Sequence, residues 1–239
     1  MHTFYVPRTQ FDEDIVTVVG SEHHHLRNVL RLGLGKTIRI IDGEGTVCSA
    51  TTNKIETELT VAKIEKLEYH DRTTPSITLF QGLPKHDKME LILQKTTELG
   101  VTQIVPTITE RSLQKPSKNR LERWQRIMLS ATKQCGRAWI PELNKIQTLQ
   151  DCLSAIHTYD CALIFWEKEP ERHIQSVLRK NPEINSIALI VGAEGGFTDN
   201  EAKDIIEKGC ISVKIGSTIL RTETAAIAGV AMTAYEYKL

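Results

Sequence analysis

The chain has 239 residues, 40% of them hydrophobic and 5% aromatic, with 30 Lys+Arg against 30 Asp+Glu. That length and apolar content suit one large or two modest domains with a real core, which excludes a need for a disulfide or metal staple. A net charge of zero argues for no particular partner, so a nucleic-acid site would have to concentrate its positive charge locally.

Residues 1–71 read as a small β-rich domain. A short helical stretch, Glu22–Leu32, precedes alternating runs at Thr37–Ile41, Thr46–Ala50 and Glu58–Ile64, with Asp42-Gly43 and Glu44-Gly45 supplying turn chemistry. Asp71-Arg72-Thr73-Thr74-Pro75 is polar and Pro-terminated, the pattern of a linker. Over 72–239, strands alternate with helices. Ile77–Phe80 is apolar, and Asp87-Lys88-Met89-Glu90 opens a helix that Gly100 closes. Gln103–Val105 is a strand, and Leu121, Trp124, Met128, Ala131 and Cys135 keep helical spacing between Ser117 and Cys135. Ala162–Trp166 and Ala188–Val191 suit a buried parallel sheet. Thr198 with Glu201 forms a capping box on a helix closed by Gly209, and Ile211–Ile215 and Thr222–Tyr235 are the last strand and helix. The alternation implies an α/β class with a mostly parallel sheet.

Two glycine-bearing loops stand out. Gly192-Ala193-Glu194-Gly195-Gly196-Phe197 follows an apolar strand and precedes a capped helix. Parallel sheets bind ligands at the carboxyl ends of their strands. Its G-x-x-G-G spacing differs from the dinucleotide fingerprint, and no acidic residue ends the next strand. The second loop, Gly216–Thr224, also joins a strand to a helix, with Thr222 as expected N-cap and Ala225, Ala226, Ala228, Gly229 and Ala231 giving a face for close packing. A tight turn and a close-packing helix explain either loop alone; at the ends of consecutive strands they point to one pocket.

The runs LIVGAEGGFTDNEA and IGSTILRTETAAIAGVA resemble the SPOUT class of methyltransferases, and within it the ribosomal small-subunit RNA methyltransferase E family. HHHLRNVLRL, GLPKHDKMELILQKTTELGV, ERWQRI and ATKQCGR extend the resemblance over nearly the whole chain. It implies a PUA-like β-barrel domain over 1–71, then a SPOUT-type α/β domain over 72–239 with a C-terminal trefoil knot. It implies a homodimer that uses S-adenosylmethionine to methylate uridine N3 in 16S rRNA of the small ribosomal subunit. The chain departs from the family at Ala193, where Pro is usual, and at Thr218, where Arg is usual.

On that resemblance the cofactor falls to backbone groups of Gly192, Gly195, Gly196, Ile215, Gly216 and Leu220, flanked by Val191, Glu194, Ile219 and Thr224, with Phe165 and Trp166 beside the adenine. Uridine N3 is a poor nucleophile until its proton leaves, so a base or a cation that stabilises the developing imidate is useful. Arg221 is the candidate for the uracil oxygens. Glu223, in a first helical turn whose dipole favours the ionised form, is the second catalytic candidate, in a positioning role rather than as base. Arg111–Arg137 holds eight basic residues and one acid, Glu122, a phosphate track or a solvated helix face. RNA contacts are expected from Arg8, Arg27 and Arg31 in the first domain and from Lys88, Arg111, Arg123 and Arg137.

Other motifs carry less. His23-His24-His25 lacks the spacing of a metal site, so no metal is expected and capping or RNA contact is the better reading. Gly35-Lys36-Thr37 lacks the first glycine and the strand of a phosphate loop. Cys135 is expected on the buried side of its helix. The five cysteines are spread without a Cys-x-x-Cys pair, which fits a reducing cytoplasm, and neither a signal peptide nor a membrane span is read. Two alternatives stay open: methylation of a ribose 2′-O or another base, and a non-catalytic RNA-binding assembly factor.

Overall fold

The computed structural model describes residues 1–85, 88–112 and 118–239, with Lys118 described by its backbone alone. Asp87, Lys115, Ser117 and the Lys118 side chain, part of the helix-start and basic-run readings, lie outside the described residues. The chain divides into two compact units, Met1–Arg72 with Thr132–Ile140, and Thr73–Ala131 with Pro141–Leu239.

The first unit contains β1 (Thr3–Tyr5), β2 (Phe11–Asp12), β3 (Ile15–Val19), α1 (Gly20–His24), a π-helical turn His25–Val29, β4 (Thr37–Ile41), β5 (Thr46–Ile55) and β6 (Leu59–Tyr69). They form one sheet in the order β1-β4-β5-β6-β3-β2, antiparallel except for the β1–β4 pair. Alternate residues Val16 and Val18, Ile38 and Ile40, and Cys48 and Ala50 bury on one face with Phe4 and Leu26, as period-2 patterning demands. The β4–β5 turn follows the expected chemistry. Asp42 Oδ1 accepts from the N–H of Glu44 (2.8 Å) and Thr46 (2.9 Å), while Gly43 and Gly45 take φ of 78° and 102°. β1, β2 and β3 are not among the runs expected from the sequence. The first two are too short to show a period, whereas the β-branched run of β3 was a usable signal.

His23 is buried, its ring nitrogens 2.9 Å from Thr60 Oγ1 and 3.1 Å from the Thr57 carbonyl. It is a structural histidine rather than a cap or an RNA contact. Among the described residues no group of His, Cys, Asp and Glu could hold a metal, and no helix is long and apolar enough to cross a membrane.

The second unit contains β7 (Ser76–Gly82), α2 (Lys88–Glu98), β8 (Gln103–Ile108), α3 (Lys118–Cys135, its last turn counted with the first unit), β9 (Glu142–Leu143), β10 (Gln147–Thr148), α4 (Leu149–Ser154), β11 (Cys161–Phe165), α5 (Ile174–Leu178), β12 (Ser186–Val191), α6 (Asp199–Glu207), β13 (Ile211–Val213) and α7 (Thr222–Glu236). The sheet is parallel, in the order β10-β8-β7-β12-β11-β13, with β9 also pairing β8.

Alternation along the central strands divides their side chains between two cores. Ile77, Leu79, Leu163, Ile187 and Leu189 pack with residues of α2, α3, α5 and α7. Phe80, Ala162, Ile164, Ala188 and Ile190 pack with residues of α4 and α6. Helices therefore cover both faces, which is why these strands read as unbroken apolar runs. The crossover after β7 leads through α2 on one face to β8, and the one after β12 leads through α6 on the other face to β13. β7 and β12 are neighbours, so the chain reverses direction between them, the place where open α/β sheets bind ligands.

Cys135 is exposed, contrary to the sequence reading. The buried face of α3 passes through Trp124, Met128, Ala131 and Thr132 and ends there. At α6 both arms of the capping box form, Thr198 accepting from the Glu201 N–H and the Glu201 carboxylate from the Thr198 N–H. Glu201 also accepts from the Glu110 N–H at 2.7 Å. Thr198→Ala is expected to lower the free energy of unfolding by about 1 kcal/mol. Urea denaturation measures this, and an unchanged midpoint would show that the cap contributes nothing.

Candidate functional site

Both glycine-bearing loops open into one cavity of about 420 Å³ at the carboxyl ends of β11, β12 and β13. The first loop is a turn in which the Gly196 N–H donates to the Ala193 carbonyl at 2.9 Å and Gly196 adopts φ 67°. That left-handed conformation is why glycine stands there. Phe197 is buried beneath it and anchors the loop to the α6 side of the sheet. The second loop is tied in at its start: the Lys214 N–H donates to the Arg172 carbonyl (2.9 Å), and the Lys214 carbonyl accepts from Ile174 (3.0 Å). Phe165 and Trp166 extend from β11 as the third wall.

Of the residues assigned to a cofactor from the sequence, Phe165, Trp166, Val191, Gly192, Glu194, Gly195, Gly196, Ile215, Gly216, Ile219 and Leu220 line this cavity, and Thr224 does not. The sequence reading left out Glu167, Glu169 and Lys214, which line it too. The Glu167 carboxylate faces Gly196, where an added Cβ would stand 3.0 Å from its oxygens.

The close packing expected of the final helix is present. A Cβ on Gly229 of α7 would come within 2.7 Å of the Phe165 ring, so a missing side chain on the helix makes room for an aromatic wall of the cavity. The expected cap is not. Arg221 is the N-cap residue, without a side-chain cap bond, and Thr222 is already helical. The Thr222 hydroxyl instead donates to the Gly192 carbonyl at 2.6 Å and accepts from Gln81 Nε2 at 2.9 Å.

Gln81 and Gly82 end β7 and were not anticipated as site residues. Gly82 lies against the first loop so closely that a Cβ would stand 2.5 Å from the Ala193 nitrogen and 2.7 Å from the Gly192 carbonyl carbon. Only the pairing of β7 with β12 brings these residues together.

Charge around the cavity is organised by Lys88. Its Nζ lies 3.4 Å from Glu194 Oε1 and 3.5 Å from Glu223 Oε2, so one ammonium ties the carboxylates of the two loops. Burial pushes the Glu194 pKa up, but donation from its own backbone N–H and that of Lys85, together with Lys88, holds it below the usual carboxylate range. Arg111 donates to the Gly195 carbonyl. Arg123 pairs with Glu90 at 2.7 Å. Arg221 is exposed at the start of α7. In the first unit Arg8, Arg27 and Arg31 are exposed, while burial lowers the Arg137 pKa.

The cavity fits a nucleoside-bearing cation. Its volume lies within the ~300–1,000 Å³ of small-molecule sites. The Trp166 ring lines the cavity and packs against the α6 side of the sheet, with its indole nitrogen buried and without a hydrogen-bond partner among the described residues. A Cβ on Gly216 would meet nothing within 4 Å, so the second loop leaves its backbone open to a ligand. Carboxylates Glu167, Glu169 and Glu194 suit a positive centre.

A family model described as RNA methyltransferase domain matches residues 72–234, and one described as RNA methyltransferase PUA domain matches residues 20–65. Ribosomal RNA small subunit methyltransferase E of Synechocystis sp. is 35% identical over 217 residues, covering 90% of this chain and 71% of that protein. The enzyme of that name from Rickettsia conorii is 35% identical over 219 residues, covering 89% and 87%. The crystal structure of ribosomal RNA small subunit methyltransferase E from Neisseria gonorrhoeae bound to S-adenosyl methionine superimposes with a TM-score of 0.88 at 32% identity, covering 98% of this chain and 97% of that one.

Gly82→Ala should cost about 1–3 kcal/mol of stability, the range of core overpacking, because the obstructing atoms are backbone. Thermal and denaturant unfolding measure it; wild-type stability would mean that strand and loop do not touch.

Proposed function

This chain belongs to the RNA methyltransferase family that includes the ribosomal small-subunit methyltransferase E enzymes, and on that premise we propose that it methylates uridine N3 in 16S rRNA with S-adenosylmethionine as methyl donor. The observation that carries the reading is the one cavity walled by both glycine-bearing loops and by Phe165 and Trp166.

When bound, S-adenosylmethionine supplies an electrophilic methyl group on a sulfonium. The backbones of Gly192, Gly195, Gly196 and Gly216 hold the donor between the Phe165 and Trp166 rings, and Glu167 and Glu169 favour its positive charge. Fixing donor and acceptor in line contributes the largest share, on the order of 7–11 kcal/mol for well-oriented reactants. As the N3 proton passes to solvent water, Arg221, exposed beside the second loop, stabilises the negative charge that develops on the uracil oxygens. Glu223 takes a positioning role. Lys88 compensates it and its Oε2 is buried, so it positions α7 against the first loop.

In the PUA-like domain the exposed Arg8, Arg27 and Arg31 concentrate positive charge that a chain of zero net charge needs to meet RNA phosphates. A homodimer, the family's trefoil knot and a cytoplasmic location belong to the same proposal.

Incubation with labelled S-adenosylmethionine and undermethylated small subunits, followed by nucleoside mass spectrometry, should yield N3-methyluridine. A 2′-O-methylated nucleoside would replace the base assignment, and no transfer at all would favour an RNA-binding factor. Arg221→Ala should lower turnover by about 10²-fold, as loss of one charge-stabilising donor does, with cofactor affinity by calorimetry unchanged. Lost affinity with full residual turnover would move Arg221 from the RNA to the cofactor.

A further inference from the structure

The buried amide of Gln81 touches both loops of the cavity. Gln81 is fully buried, and its Nε2 lies 2.9 Å from Thr222 Oγ1, 2.9 Å from the Gly82 carbonyl and 3.3 Å from the Gly192 carbonyl. All three are oxygens, which settles the amide orientation. The flipped amide would set Oε1 against two carbonyls that can only accept. One amide hydrogen goes to Thr222 and the other is shared between the two carbonyls. The Thr222 hydroxyl spends its proton on the Gly192 carbonyl at 2.6 Å, so the Gln81, Thr222 and Gly192 groups close a ring of hydrogen bonds. Gln81 Oε1 stays buried without a partner among the described residues. A buried polar atom left unpaired costs about 1–3 kcal/mol, so the site tolerates that cost to keep the donor where it is. An apolar side chain of this volume would fill the space without it.

We propose that Gln81 is a positioning residue that couples the two loops of the cofactor cavity, locking the Gly192 carbonyl to the N-terminus of α7. The carbonyl belongs to the first loop and Thr222 to the second, so loss of the amide leaves their direct bond as the remaining tie and loosens both. The identity of the ligand rests on the methyl-transfer reading above; the coupling of the loops does not.

Three readouts on Gln81→Met test it. In the cofactor-free chain, amide hydrogen exchange over 192–197 and 216–224 should quicken at least tenfold relative to the remaining sheet. The Kd for S-adenosylmethionine by calorimetry should rise about tenfold. KM for RNA should stay unchanged, a split that general destabilisation would not produce. Thr222→Val should give the same pattern, Thr222→Ser should keep the loop protection, and Gln81→Met with Thr222→Val should be no worse than either alone, because the groups act as one unit. Gln81→Met with wild-type exchange and affinity, or additive losses in the double variant, would overturn the proposal. If Gln81→Met does not fold, Gln81→Leu gives the same readouts, and wild-type exchange and affinity in that variant would overturn the proposal. If the wild type binds no S-adenosylmethionine while exchange still responds to the variants, the coupling stands and the methyl-transfer reading falls.

Discussion

The second unit depends on a close approach of backbone to backbone at the carboxyl ends of β7 and β12. The sheet reverses its direction of winding there, with α2 leaving on one face and α6 on the other. An opening is expected at such a point, yet the chain closes it: Gly82 presses on the first loop, and α7 starts by placing the Thr222 hydroxyl on the Gly192 carbonyl. Because this floor is shut, the open volume lies one strand over, between the first loop, the β11 exit and the second loop. The position of the cavity thus follows from the lack of a side chain at Gly82 and the presence of a hydroxyl at Thr222.

Electrostatics then set the character of the site. The cavity collects carboxylates in a chain of zero net charge, while one ammonium, Lys88, compensates Glu194 and Glu223 at the loop bases. Basic side chains nearby are engaged: Arg111 with the first loop and Arg123 with Glu90. Such partition suits a cationic methyl donor held on an acidic wall and a polyanionic substrate met by exposed arginines, because the two partners carry opposite charge.

Several residue patterns offered two readings, and burial decided between them. The histidine triplet has the composition of a metal site. Its first member satisfies both ring nitrogens with Thr60 and the Thr57 carbonyl inside the first unit, so it stabilises the connection between α1 and β6. Gly35-Lys36 is a turn leading into β4, with Gly35 at φ 70° donating to the Thr52 carbonyl at 2.7 Å. The alanine and glycine face of α7 serves both packing and site, since Gly229 admits the Phe165 ring that walls the cavity.

Local rules made much of this protein legible from its sequence. Apolar runs bounded by turn residues located the central strands, the Thr198–Glu201 pair started α6, and glycines at left-handed positions marked the turns, because each of these is settled within a few residues of chain. The two loops were found the same way, by their places between strands and helices. What lay beyond reach was every feature that depends on which strands are neighbours. Gln81 is 141 residues from Thr222 and 111 from Gly192, and nothing near it in sequence shows that its amide meets them. Thr222 looked like a cap because its long-range acceptor was invisible, and Lys88 was expected as an RNA contact because the two carboxylates it meets arrive from distant loops. Sequence determined the elements and their ends through short-range sterics and hydrogen bonding. Tertiary structure alone decided the pairing of β7 with β12, and with it which buried polar groups would meet.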